Sequence, residues 1–180
     1  MLTKNQINNI DNFNLSLLEE AIRQTELRLK DALLTKEDLD KKTFSLLSVY
    51  LTICTGLFGI SKIPVKEIES IFFSLTFSGF CFFVGIIFLI SSLRTNDYGT
   101  LGRYPDTWLQ EGIIDGDDKI IGYVFANILI DYQEKIKISD ESNSKKIKKI
   151  DWGLMMGILA PFGFIIILFI PHHIVTTSFL

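Results

Sequence analysis

The sequence predicts an all-α integral membrane protein with three transmembrane helices, a long N-terminal cytoplasmic helix, and a small helical cytoplasmic head between the second and third spans. Two observations predict this class. The 180-residue chain is 48% hydrophobic and holds 15 Phe, and its mean hydropathy is positive at +0.32, outside the usual soluble range. Its charges also fall in blocks. Residues 1–43 hold seven Lys/Arg and eight Asp/Glu, residues 94–151 hold nine and eleven, and only Lys62, Lys66, Glu67 and Glu69 lie elsewhere. The charge-free stretches 43–61, 70–93 and 152–180 each supply the roughly 20 apolar residues that a bilayer core requires. The net charge of −3 says little about partners, because the two signs are interspersed within each block.

The first block reads as an amphipathic or coiled-coil helix over 1–43. Leu15, Leu18, Ile22, Thr25, Leu29, Ala32, Lys36 and Leu39 recur at alternating spacings of three and four, an a/d seam with two weak positions. Leu15, Leu18, Ile22 and Leu29 are its apolar core. Two readings stay open: the seam joins copies of the chain, or it packs on the rest of the same subunit. No Gly or Pro precedes Gly56, so this helix is expected to continue into the first span.

The spans are expected at 44–61 and 70–93, forming a hairpin turned at Pro64, and at 152–171, with 172–180 as an outer tail. The N-terminus lacks the apolar h-region of a signal peptide, so the first span is expected to direct insertion. Lys41 and Lys42 precede the first span, Arg94 follows the second, and four lysines precede the third. The positive-inside rule then places the N-terminus and residues 94–151 in the cytoplasm and the C-terminus outside, in a bacterial inner membrane. Cys54 and Cys81 fall within spans, where a disulfide framework is not expected.

The block 94–151 is expected to be a helical cytoplasmic region. Turn signals crowd residues 96–102, Pro105 suits the start of a short helix, and Asp115 or Asp117 is placed to cap a longer one. In that helix Ile121, Phe125, Ile128, Tyr132 and Ile136 share one face. Residues 139–144, Ser-Asp-Glu-Ser-Asn-Ser, compete for backbone hydrogen bonds and are expected to form a hinge.

Catalytic chemistry is not expected. There is no phosphate-binding Gly-rich loop, no nucleophile elbow and no metal-spaced Cys/His set; the two histidines are the adjacent His172 and His173. Asp115, Asp117 and Asp118 read as the acidic first turn of a helix rather than a metal cluster. The chain is therefore expected not to be an enzyme and to use no cofactor. A coupled carrier is also disfavoured, because the three spans hold no ionisable group at mid-membrane.

Each span carries a stripe of small residues: Ser45, Ser48, Thr52, Thr55 and Gly59; Ser74, Ser78, Cys81 and Gly85; and Gly153, Gly157 and Ala160. Close helix packing explains such stripes. The alternative is that the hydroxyl-rich first stripe, Ser45, Ser48, Thr52 and Thr55, lines a pore. Three spans enclose no channel easily, so a pore requires a symmetric homo-oligomer, with a tetramer as the leading assembly.

This layout resembles small membrane effectors of bacterial anti-phage defence, nearest to those that pair a nucleotide-synthesising enzyme with a membrane protein, such as the Hailong type. The residues around Tyr104-Pro105-Asp106-Thr107-Trp108-Leu109 carry a faint further likeness. The resemblance implies a homo-oligomeric, nucleotide- or oligonucleotide-controlled ion channel that depolarises the inner membrane, with a nucleotidyltransferase partner. It carries over no site residues. The other class kept open is a membrane-anchored scaffold recruiting a soluble partner through its cytoplasmic helices.

The basic cluster offers a place for an anionic signal. Lys145, Lys146, Lys148 and Lys149 crowd the entry to the third span, and Arg94 and Arg103 are candidates to join them. The simpler reading is that these cations satisfy the positive-inside rule and contact anionic lipid.

Overall fold

The computed structural model describes residues 14–61, 69–95, 97–99, 116 and 118–169, and these residues are almost wholly α-helical. The order is α1 (Leu15–Ser61, 47 residues), α2 (Glu69–Leu93, 25 residues) and α3 (Asp118–Phe169, 52 residues). Asn14 caps α1: its Oδ1 accepts from the Leu17 amide at 3.2 Å and the Ser16 hydroxyl at 2.9 Å. Gly116 precedes α3 with φ of +74°, a left-handed turn that glycine enters without steric cost. All three helices are long and apolar enough to cross a membrane. At 1.5 Å per residue, α1 and α3 each run about 70–80 Å, more than twice a ~30 Å hydrocarbon core, so much of each must lie outside it.

The chain divides into two compact units, Met1–Asp38 with Asn96–Ser144, and Leu39–Thr95 with Lys145–Leu180. In the first, the head unit, α1 and α3 pack side by side. Leu29, Val124, Ile128 and Tyr132 form its core, with Ile22, Phe125 and Ile136 packed around them. The face expected on α3 from its 3.6-residue period is thus the face that is buried. The Tyr132 hydroxyl donates to Glu26 Oε1 at 2.7 Å. Arg28 and Asp140 form an exposed pair at 3.2 Å, of a kind that contributes little. Near the start of α1, hydrogen bonds from Arg23 and then Gln24 hold the Glu20 carboxyl down at about 2.

Residues 139–144, expected to form a hinge, are helical. These residues lie within α3, which continues unbroken into the third span. Helix-averse side chains are tolerated because tertiary partners satisfy them. Asn143 Nδ2 donates to the Ala32 carbonyl at 2.9 Å, and its Oδ1 accepts from the Tyr98 hydroxyl at 2.9 Å. Ser139 Oγ accepts from the Gly99 amide at 3.1 Å, and Ser142 donates to the Asp97 carbonyl. The Lys36 ammonium lies 4.6 Å from the centre of the Tyr98 ring, a cation–π contact that holds residues 97–99 in the same network.

In the second, the span unit, Tyr50, Cys81, Phe82, Ile86, Leu89 and Ala160 form the core. Two of the three small-residue stripes are buried in it: Ser74, Ser78, Cys81 and Gly85 on α2, and Gly153 and Ala160 on α3, with Gly157 partly buried. Phe72, Phe73, Phe80 and Phe83 of α2 point outward and are exposed. Small residues inside and phenylalanines outside reverse the pattern of a water-soluble bundle, as a lipid-facing surface requires.

Candidate functional site

Three features of the span unit could carry function, and each is built from a different part of the sequence. Deepest is the recess that holds Tyr50. Its hydroxyl donates to the Gly153 carbonyl at 2.8 Å, and its ring meets Phe82 edge-on at 5.1 Å between centroids. Glycines make the room. A Cβ at Gly85 would stand 2.7 Å from Tyr50 Cε2, and one at Gly157 would overlap the Tyr50 hydroxyl. Ser78 Oγ donates to the Ala160 carbonyl at 3.0 Å, a further tie between α2 and α3.

At one border of the apolar segment lies a polar layer. Lys146, completely buried, pairs through Nζ with Asp40 Oδ1. Thr43 Oγ1 donates to the Leu39 carbonyl at 2.8 Å and Ser92 Oγ to the Leu89 carbonyl at 2.8 Å, and the two hydroxyl oxygens lie 3.3 Å apart. Lys149 Nζ donates to the Ser91 carbonyl at 2.9 Å and to Thr95 Oγ1 at 3.0 Å. Among the described residues every fully buried side-chain nitrogen or oxygen has a partner, as a low-dielectric interior demands.

The expected anion-binding set is therefore split. Lys146 is committed to Asp40 and Lys149 to α2, while Lys145, Lys148 and Arg94 remain exposed. Arg103 lies outside the described residues. The helical period causes the split: in a run of four lysines within five residues, 145 and 148 share one side and 146 and 149 turn inward.

The third feature is the first stripe. Ser45, Ser48, Thr52 and Thr55 are all exposed, in contrast to the stripes of α2 and α3. Thr52 and Thr55 donate to the carbonyls of Ser48 and Leu51 at 2.9 and 2.8 Å, so neither hydroxyl is bare. Between α1 and α2 runs an apolar cavity of about 560 Å³ lined by Leu51, Cys54, Leu57, Phe72, Leu75 and Phe80, among others.

Of the α1 seam, Leu29 is fully buried and Ile22 partly buried against α3 of the same chain, while Leu15 and Leu18 are half-exposed. Asp40 and Tyr50 were not singled out by sequence reasoning, and Asn143 only as part of the expected hinge. Each carried a signal: an acid at the mouth of a span, a hydroxyl within one, and an amide in a helix interior all demand a partner.

No group of three or more His, Cys, Asp or Glu side chains among the described residues is arranged to hold a metal. Among the described residues, the fold and these features define a membrane protein with three membrane-length helices whose span unit is fastened by buried hydrogen bonds. Comparison with protein-family models, curated proteins and solved structures finds no match to the chain.

Proposed function

We propose that the chain is the subunit of a homo-oligomeric membrane effector that opens an ion pathway under the control of an anionic nucleotide or oligonucleotide signal. The observation that carries this reading is the fate of the three stripes. Two are consumed by packing within the chain, whereas the hydroxyl face of α1 is left outward, unlike the phenylalanines of α2. A row of Ser and Thr suits either a neighbouring helix or a water-filled lumen better than it suits lipid tails. Ser45, Ser48, Thr52 and Thr55 of each subunit, a tetramer in this reading, line the pathway. The head faces the cytoplasm of a bacterial cell, the C-terminus lies outside, and a nucleotidyltransferase partner supplies the signal. The effector acts in anti-phage defence by depolarising the inner membrane, a context that rests on the resemblance of layout alone.

Ion flux from proteoliposomes tests the pathway. The wild-type protein is expected to conduct, and Thr52→Trp or Thr55→Trp to block flux while oligomer size stays the same. Absence of flux under every condition, with intact insertion, leaves the alternative of a membrane-anchored scaffold. That alternative is favoured by Leu17, Leu27 and Leu34, which are exposed on α1 within the head unit and offer a soluble partner an apolar strip.

A further inference from the structure

The polar layer of the span unit fixes three helices at a common height. Asp40 of α1 meets Lys146 of α3, Thr43 of α1 meets Ser92 of α2, and Lys149 of α3 meets Ser91 and Thr95 of α2. Residues 40–43, 91–95 and 146–149 therefore share one level. At that level the outward positions are mostly cationic: Lys41 and Lys42 on α1, Arg94 beyond α2, and Lys145 and Lys148 on α3 are all exposed, with Ile147 the exposed apolar residue among them.

One turn further into the span, the outward residue becomes large and apolar on every helix. Phe44 follows Lys41, Ile90 precedes Arg94, and Trp152 follows Lys148; their exposures are 59%, 42% and 50%. Trp152 stacks on Phe88 at 6.1 Å between centroids, which fixes the indole at the border where amphipathic rings prefer to sit. Exposed cations outnumber acidic groups at the layer, although Asp151 is exposed. Within residues 40–44, 90–95 and 145–152 the acids are Asp40, which is taken by Lys146, and Asp151.

The geometry points to a collar that binds the phosphates of anionic phospholipid headgroups, with Lys42, Arg94, Lys145 and Lys148 as the binding cations and Trp152 at the acyl boundary. A nucleotide phosphate has the same charge. Lipid fits better because the cations are spread over three helices at one height and sit directly above an apolar rim, whereas a soluble nucleotide needs them gathered in one pocket. The inner lysines serve the collar indirectly: Lys146 and Lys149 hold the helices in register. This inference requires only that the span unit lies in a bilayer, and stands apart from ion conduction.

Trp152 supplies the reporter. The full chain with Trp108→Phe, which leaves Trp152 as the one remaining indole, is reconstituted into phosphatidylcholine vesicles holding a minor fraction of phosphatidylglycerol, with one lipid or the other brominated. At low salt, brominated phosphatidylglycerol is expected to quench Trp152 as though enriched about threefold over its mole fraction, and the excess is expected to fall as salt screens the contact. Arg94→Gln, Lys145→Gln and Lys148→Gln together should abolish the excess, and lysine-to-arginine replacement at 145 and 148 should retain it. Quenching in proportion to mole fraction overturns the proposal, as does an excess that survives the triple substitution. Should the triple variant fail to insert, the salt series on the parent protein decides, and a salt-independent excess overturns the proposal. Binding of ATP to the protein in pure phosphatidylcholine vesicles, lost in the triple variant, assigns the cations to a soluble ligand instead and also overturns it.

Discussion

Tyr50 and Asp40 show what a single polar atom does within an apolar bundle. The Tyr50 hydroxyl fits only because residue 157 has no side chain. Gly157→Ala should therefore destabilise the span unit by about 1–3 kcal/mol through overpacking, despite the better helix propensity of alanine. Tyr50→Phe alone should cost about 0.5–1 kcal/mol, the usual worth of a hydrogen bond between membrane helices. Combined with Gly157→Ala, the same change should recover part of the loss, because it removes the atom nearest the new methyl. Denaturant titration of the four proteins in detergent measures this coupling, and strict additivity would refute the contact. The Asp40–Lys146 pair predicts an asymmetry. Lys146 is completely buried, whereas the Asp40 side chain retains 27% exposure. Asp40→Ala takes the carboxylate from a buried ammonium and should cost about 3–5 kcal/mol, while Lys146→Met leaves an acid that can still reach water and should cost less. Asp40→Leu combined with Lys146→Met replaces both charges with apolar groups and should lie near neutral by the same titration.

At the scale of the helix, residues 139–144 are the instructive case. In an isolated segment the side chains there compete for their own backbone and disfavour helix. In the folded chain Ser139, Ser142 and Asn143 turn to α1 and to residues 97–99, and the competition ends. Partners 40 to 111 residues away in sequence are invisible to local pattern reading. The prediction is that amide exchange across residues 136–148 is uniformly slow, with no fast-exchanging window at 139–144. Asn143→Ala, which loses two hydrogen bonds, should cost about 1–3 kcal/mol and speed exchange at residues 97–99 first. The α3 face from Ile121 to Ile136 was legible because burial there follows the 3.6-residue period. The division of the lysines was legible only as spacing, since what each inward lysine meets depends on α1 and α2.

For the molecule as a whole, hydropathy revealed the three membrane-length helices because every backbone polar group in hydrocarbon must be satisfied within its own segment. Orientation depends on charges outside the spans. Cysteine-labelling from either side of the membrane should find Asn8 and Asp117 on one face and Leu180 on the other; a common face for all three refutes three crossings. Self-association requires a discriminating variant. Leu29→Asp puts a charge into the core of the head unit and should unfold that unit before it reports on assembly. Leu18→Asp, at a half-exposed seam position, should shift detergent-solubilised oligomers to smaller species if the seam joins copies, and leave their size unchanged if it serves only its own subunit.

Pro161 lies inside α3, and its ring nitrogen carries no hydrogen. The carbonyl of Gly157 thus lacks the donor that four-residue spacing would supply. A helix resists bending because its hydrogen bonds must stretch on one side, so stiffness drops where a bond is already missing. The third span is most compliant within residues 157–161, and at the near end of that turn the Tyr50 ring occupies the space that a side chain at 157 would need. Flexing of this span is expected to concentrate where Tyr50 of α1 packs, so displacement of α1 at Tyr50 should couple to curvature of α3.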